Sequence, residues 1–151
     1  LDTKSLRTVL TDYGSDWGTL LEPLDFSLLQ GFMQGFIDLV FETEDKVYLV
    51  DYKSSWLGLN PTDYRPEQLA LTMAAGSYHL QYLIYTVALH RYLKWRRPDY
   101  DYKQHFGGVR YLFLRGMQPE QPGQGIYAAR PPALLVEALD QYLTQRGAIH
   151  G

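Results

Sequence analysis

The amino-acid sequence predicts an α/β domain in which a four-stranded sheet is flanked by helices. Three observations carry this. Two apolar runs, Phe32 to Glu42 and Val47 to Tyr52, are separated by the polar turn Thr43-Glu44-Asp45-Lys46, the pattern of a β-hairpin. From about Tyr78 to Trp95, Leu80, Leu83, Ile84, Val87 and Arg91 recur at the 3,4 spacing of one helical stripe. Two further runs rich in β-formers, Gly107 to Leu114 and Ile126 to Ala128, follow that helix. The predicted order is strand–strand–helix–helix–strand–strand–helix.

Residues 1–30 are punctuated by Gly14, Gly18 and Pro23, and Leu6 to Leu10 closes at most a short helix. This segment reads as a surface connector, residues 31–146 as the domain, and residues 147–151 as a frayed tail. Both faces of the hairpin strands carry apolar residues, so the hairpin is expected to be covered on both sides. Ser54 to Pro61 is a loop. Asp63 is placed to cap a helix through Gln68 to Ala75, which Gly76 ends. Gln118 to Gly125 is a loop, and Pro131-Pro132 opens a last helix through Leu134, Leu135, Ala138, Leu139 and Tyr142.

The 151 residues fit one domain, and 46% hydrophobic content supplies its core. No apolar run reaches the ~20 residues of a membrane span. The chain starts Leu1-Asp2 without a methionine and reads as a piece of a longer protein. The absence of cysteine excludes disulfides, thiolate chemistry and iron–sulfur ligation, and points to a reducing cytoplasm. The net charge of −3 means that a nucleic-acid partner must be met by a local patch, a metal or another subunit.

The hairpin register follows from its turn. A turn centred between Glu44 and Asp45 sets Asp38 opposite Asp51 and Phe36 opposite Lys53. Side chains alternate faces, so Asp38, Asp51 and Lys53 share one face and Tyr52 points to the other. Two facing carboxylates repel each other, and a bound cation reverses the sign. Two carboxylates suit a hard, oxygen-preferring cation such as Mg2+, and an adjacent lysine can orient a water or stabilise a phosphoryl oxygen. That set suits phosphodiester hydrolysis.

The spacing Asp-x12-Asp-x-Lys on a hairpin is the PD-(D/E)xK nuclease pattern, and more than the triad matches. Gly35-Phe36-Ile37-Asp38-Leu39-Val40, Leu49-Val50-Asp51-Tyr52-Lys53-Ser54-Ser55-Trp56-Leu57-Gly58, the helix from Leu80 to Leu93 and the strand from His105 to Gly116 resemble the RecB-type nuclease domain. This is the C-terminal domain of the β subunit of bacterial exodeoxyribonuclease V. The resemblance runs from about Leu24 to Tyr142, and Gln81-x-x-x-Tyr85 matches the QxxxY signature of that family. It implies a restriction-endonuclease-like core, a mixed four-stranded sheet flanked by helices. It also implies Mg2+-dependent cleavage of single- and double-stranded DNA in double-strand break repair and recombination, with Mn2+ or Ca2+ able to substitute in binding. Asp38 and Asp51 become metal ligands, joined by the main-chain carbonyl of Tyr52. Lys53 assists the attacking water, and Gln81 and Tyr85 contact DNA or support the site. RecC- and RecD-like subunits, and a recombinase, are the implied protein partners.

RecB-type enzymes carry a further histidine ligand on a helix before the hairpin. No histidine precedes Asp38 here, and Glu22 stands in no matching helix. Weak metal binding and poor cleavage by this chain are therefore expected, and a non-catalytic module for partner subunits or recombinase loading is the alternative function. Other readings stay open at single residues. Gln81 and Tyr85 suit a hydrogen-bonded pair at the core edge, and Trp56 suits either a base stack or a buried loop anchor. His90 and Arg91 read as solvated or stacked, and no histidine spacing makes a metal site.

Overall fold

A computed structural model describes residues 35–147 together with Thr8, Thr11 and Asp12. The connector over residues 1–30, the Leu6 to Leu10 helix, the start of the first apolar run and the tail beyond Gly147 otherwise lie outside the described residues.

The described residues form a mixed four-stranded sheet with helices packed on it, as the sequence predicts. The strands are β1 (Leu39–Glu42), β2 (Val47–Lys53), β3 (Phe106–Phe113) and β4 (Ile126–Ala129), in spatial order β1-β2-β3-β4. β1–β2 and β3–β4 pair antiparallel, and β2–β3 pair parallel. The helices are α1 (Pro66–Ala75), α2 (Tyr78–Arg96), the short α3 (Tyr102–His105) and α4 (Ala133–Gly147). The parallel β2–β3 pair needs a crossover connection, and α1 to α3 supply it.

The hairpin register is the deduced one: Leu39 faces Val50 and Glu42 faces Val47. Val47, Leu49, Asp51 and Lys53 alternate onto the face that carries the main core, with Leu49 fully buried. On β3 the same face carries Val109, Tyr111 and Phe113, all fully buried. Leu49 pairs with Val109 and Asp51 with Tyr111. Above this floor lie Tyr82, Leu83 and Val87 of α2, Leu69 and Met73 of α1, and Leu135, Val136 and Leu139 of α4.

Four expectations are corrected. The first strand begins at Leu39, because Gly35 to Asp38 leave the ladder. The hairpin is covered on both sides along β2 alone, where the successive residues Leu49 and Val50 are both buried, while every residue of β1 is exposed. β1 is the edge of the sheet, and its cover is local, with Phe41 stacked on its cross-strand partner Tyr48 at 4.9 Å. Asp63 does not cap α1. It lies in the 3-10 turn Pro61–Tyr64, where its carboxylate accepts from Asn60 N at 2.9 Å, and Arg65 and Pro66 open the helix instead. The buried stripe of α2 is rotated from the one hydropathy suggests. It runs through His79, Tyr82, Leu83, Thr86, Val87, Leu89, His90 and Leu93, while Arg91 is exposed and pairs with Asp140 of α4.

The histidines explain that rotation, since a hydropathy pattern does not count them as core. His79 is buried with Nδ1 3.2 Å from the Tyr82 hydroxyl and its ring edge-on to Tyr127. His90 is buried and stacked rather than solvated, 3.4 Å from the Tyr100 hydroxyl and edge-on to Tyr102. Burial pushes both imidazoles below the usual histidine range, which keeps them neutral.

Candidate active site

The core-facing row of β2 changes from apolar to charged at its C-terminal end, where Asp51 and Lys53 follow Val47 and Leu49. The parallel β2–β3 pair ends at the same place, the usual location of ligand sites in open α/β sheets. Asp51 is 4% exposed. Its Oδ2 lies 2.6 Å from Lys53 Nζ in a buried ion pair and has no second hydrogen-bond partner, so this shielded oxygen keeps a lone pair beyond the one facing the ammonium.

Burial raises the Asp51 pKa above the ordinary carboxylate value, and the nearby charge of Asp38 adds to the rise. Lys53 opposes both effects without cancelling them. Relative to the unfolded chain, the fold therefore favours the protonated form of Asp51 when no cation is bound. This contribution to stability is complete below 3.8, the ordinary value, and is lost as pH rises through the raised folded value. The metal-free chain is expected to weaken over that interval relative to Asp51→Asn, measured as urea midpoints of the two proteins across pH. Parallel midpoints at every pH contradict the expectation.

Asp38 sits at the first position beyond the β1 ladder. Its Oδ2 accepts a hydrogen bond from Tyr52 N at 2.9 Å, so the carboxylate takes over the edge of β2 where backbone pairing stops. Asp38 is exposed, and the Tyr52 ring is 45% exposed on the face opposite Asp51. The hairpin register runs as deduced up to Leu39 and Val50, the pair next to Asp38 and Asp51; the charge of Asp38 reaches Asp51, and Asp38 is also anchored on a backbone amide.

Lys53 is fixed from three sides. Its Nζ lies beside Asp51, donates to Gln81 Oε1 at 3.2 Å, and sits 4.0 Å over the Tyr78 ring and 5.1 Å from the Tyr111 ring centre. Gln81 and Tyr85 are one helical turn apart on α2 and bond to each other, Gln81 Nε2 donating to Tyr85 Oη at 3.3 Å. The Tyr111 hydroxyl donates to Gln81 Oε1 at 2.9 Å. The amide orientation is therefore set, with its oxygen receiving Lys53 and Tyr111 and its nitrogen facing Tyr85. Tyr85 in turn covers the backbone of Gly35, where a Cβ would come within 2.7 Å of the ring.

Tyr111 and Tyr78 are the site members that sequence reasoning missed. Tyr78 was findable, being one turn before Gln81 on the same helix. Tyr111 was not, because its place beside Asp51 depends on the parallel β2–β3 register, which no turn length fixes. The Tyr111 pKa is raised, by burial first and then by the charge of Asp51, so the phenol remains a donor.

The donor set fits a hard divalent cation. It offers one buried carboxylate oxygen whose one partner is the Lys53 ammonium, and a second carboxylate close enough to perturb it. Among the described residues no group of three or more His, Cys, Asp or Glu side chains gathers, so two carboxylates are the side-chain ligands available there. A cleft of about 440 Å3, lined by His90, Tyr100, Glu137 and Asp140, contains none of these residues.

The sequence model of the PD-(D/E)XK nuclease superfamily matches residues 5–150. The chain belongs to the PD-(D/E)XK nuclease superfamily. Its similarity to the RecBCD enzyme subunit RecB of Escherichia coli K12 is 54% identity over 119 residues, 79% of this chain and 10% of that protein. RecB of Haemophilus influenzae is 52% identical over 119 residues, 79% of this chain and 10% of that protein. RecB of Mycolicibacterium smegmatis is 42% identical over 126 residues, 76% of this chain and 12% of that protein. The chain thus spans about a tenth of the length of these relatives. The family and fold class read from the sequence stand. No described helix is long and apolar enough to cross a membrane.

Proposed function

We propose that this chain is the nuclease domain of a RecB-like subunit and hydrolyses DNA phosphodiesters with a divalent metal during double-strand break repair and recombination. The observation that carries this reading is the buried Asp51 carboxylate, paired with Lys53, coupled to the charge of Asp38 and without a second hydrogen-bond partner on Oδ2. Asp38 and Asp51 are the metal ligands, with the main-chain carbonyl of Tyr52 as a further oxygen. Mg2+ is the proposed ion, with Mn2+ or Ca2+ able to replace it in binding. Mg2+ is commonly held by one or two carboxylates and completed by substrate phosphate, so a site with two carboxylates is chemically sufficient for weak binding.

A divalent cation held there supplies Lewis acidity at a phosphoryl oxygen and lowers the pKa of a bound water. The chain's own residues do the rest. The Lys53 ammonium, steered by Asp51 and Gln81, faces the reacting phosphate as a hydrogen-bond donor. It orients the attacking water and balances charge that builds on the phosphoryl oxygens. Water adds to phosphorus and the bond to the 3′ oxygen breaks, leaving a 5′-phosphate and a 3′-hydroxyl. Gln81 and Tyr85 keep Lys53 in place and border the path of the DNA. RecC- and RecD-like subunits and a recombinase are the proposed partners, in the cytoplasm.

The purified chain is expected to cleave single-stranded DNA slowly with added Mg2+, to stop on chelation, and to leave 5′-phosphate ends, read by end-labelling of the products. Metal-independent cleavage, or 3′-phosphate ends, contradicts the proposal. The two-carboxylate set among the described residues favours one alternative, an interaction module for partner subunits or recombinase loading. Asp51→Ala separates the two: a nuclease loses cleavage, whereas partner binding survives.

A further inference from the structure

The loop that follows Lys53 is tightly built, yet it leaves an aromatic ring outside. Leu57 N donates to the buried Tyr64 hydroxyl at 3.1 Å, and Gln124 Nε2 donates to Pro61 O at 2.7 Å. Gly58 adopts a φ of 156° directly against Asp63, where any Cβ would fall 2.0 Å from the carboxylate. That carboxylate is already engaged by Asn60 N. These contacts fix the loop from Trp56 to Pro61 on the body of the domain, with Leu57 packed against the core. Trp56 is nonetheless 65% exposed and Leu59 is 89% exposed. The sequence left Trp56 open between a buried anchor and a base stack, and the first of these is excluded by that exposure.

Trp56 lines a cleft of about 230 Å3 with Leu59, Asn60, Tyr64, Arg115 and Gln118. Arg115 is the one charged residue of that lining, and its Nε donates to Ser54 O at 2.9 Å. Ser54 is the residue after Lys53, so the guanidinium is tied to the strand end that carries the proposed chemistry. An exposed indole three residues beyond Lys53, and a guanidinium anchored on the carbonyl of the residue next to Lys53, match the two surfaces of a nucleotide: a π-face and a phosphate.

We infer that the Trp56–Arg115 cleft is a subsite for a nucleotide flanking the scissile phosphate, where the Trp56 indole stacks on a single-stranded base and Arg115 meets the backbone phosphate. This rests on the DNA-cleavage reading of the neighbouring site. It extends that reading by assigning a nucleotide contact beyond the reacting phosphate, one that needs an unpaired base because a base already stacked in a duplex cannot present its face to the indole.

Binding to a short fluorescent oligothymidylate is the test, in the whole chain carrying Asp51→Asn so that cleavage does not interfere. Trp56→Ala is expected to weaken binding roughly 5- to 100-fold, and Trp56→Phe to recover most of it. Arg115→Gln is expected to flatten the dependence of log affinity on log salt by about 0.7. Trp56→Phe also removes the oligonucleotide-dependent quench of tryptophan emission, while Trp95→Phe leaves it. Folding of each variant is checked by its thermal melt. If the parent binds and Trp56→Ala binds within about twofold of it, the subsite is refuted and the nuclease reading stands. That is also the outcome predicted if the cleft instead seats an apolar patch of a partner protein. If the parent binds no oligonucleotide, both readings fall. Trp56-dependent binding in a wild-type chain that never cleaves keeps the subsite and removes the nuclease reading.

Discussion

Asp51→Ala is expected to reduce metal-dependent DNA cleavage by roughly a thousandfold, the equivalent of about 4 kcal/mol of lost transition-state stabilisation. Asp51 is the shielded ligand of the proposed pair, and beyond the Lys53 ammonium its buried oxygen has no partner. Its removal also releases Lys53, whose ammonium loses the carboxylate 2.6 Å away. The effect on stability has the opposite character. The Asp51 carboxylate is disfavoured by burial in the metal-free protein, so the alanine protein is expected to melt close to the wild type without metal and to gain nothing from added Mn2+. Wild-type cleavage rates in Asp51→Ala, followed with Mn2+ in excess, would rule out the assigned role. Asp38→Ala is a weaker probe, because it also frees the Tyr52 amide at the end of the ladder.

Tyr111→Ala is expected to cost about 3–5 kcal/mol of folding stability, a large share of the ~5–15 kcal/mol a domain possesses. Tyr111 is fully buried in the centre of the sheet, with the Tyr78 and Tyr82 rings at 5.9 and 6.2 Å. Tyr111→Phe separates packing from chemistry. The ring under Lys53 and the core volume remain, and only the donor to Gln81 Oε1 is lost. Its stability cost is expected to be near 1 kcal/mol. Cleavage should fall further than that packing loss implies, by roughly tenfold, because Gln81 is then free to turn its oxygen away from Lys53. Chemical denaturation and initial cleavage rates on the same preparations read the two effects. Equal activity in Tyr111→Phe and wild type would leave the hydroxyl with a packing role only.

What the sequence could reveal depended on how local each constraint was. The β1–β2 register was legible because a four-residue polar turn fixes which residues face each other, and Asp38, Asp51 and Lys53 follow from it by arithmetic. Gln81 and Tyr85 were legible as helical neighbours, and their mutual bond and the bond to Lys53 agree with that placement. Tyr111 was hidden because parallel pairing across three helices leaves no local trace of its register. The α2 stripe was misplaced because His79, Thr86 and His90 are buried despite polar side chains, two of them made tolerable by tyrosine hydroxyls. The start of the first strand was overcalled because β-formers before Leu39 carry no signal that pairing stops. Asp38 itself ends the ladder by taking the next amide of β2.

The central claim is that Asp38 and Asp51 jointly hold a divalent cation beside Lys53. Crystals soaked in Mn2+ and measured at the manganese absorption edge test it most directly. An anomalous peak within roughly 2.0–2.6 Å of oxygens from both Asp38 and Asp51 is the predicted result. A peak bound elsewhere, or no peak at a Mn2+ concentration that supports cleavage, would contradict it.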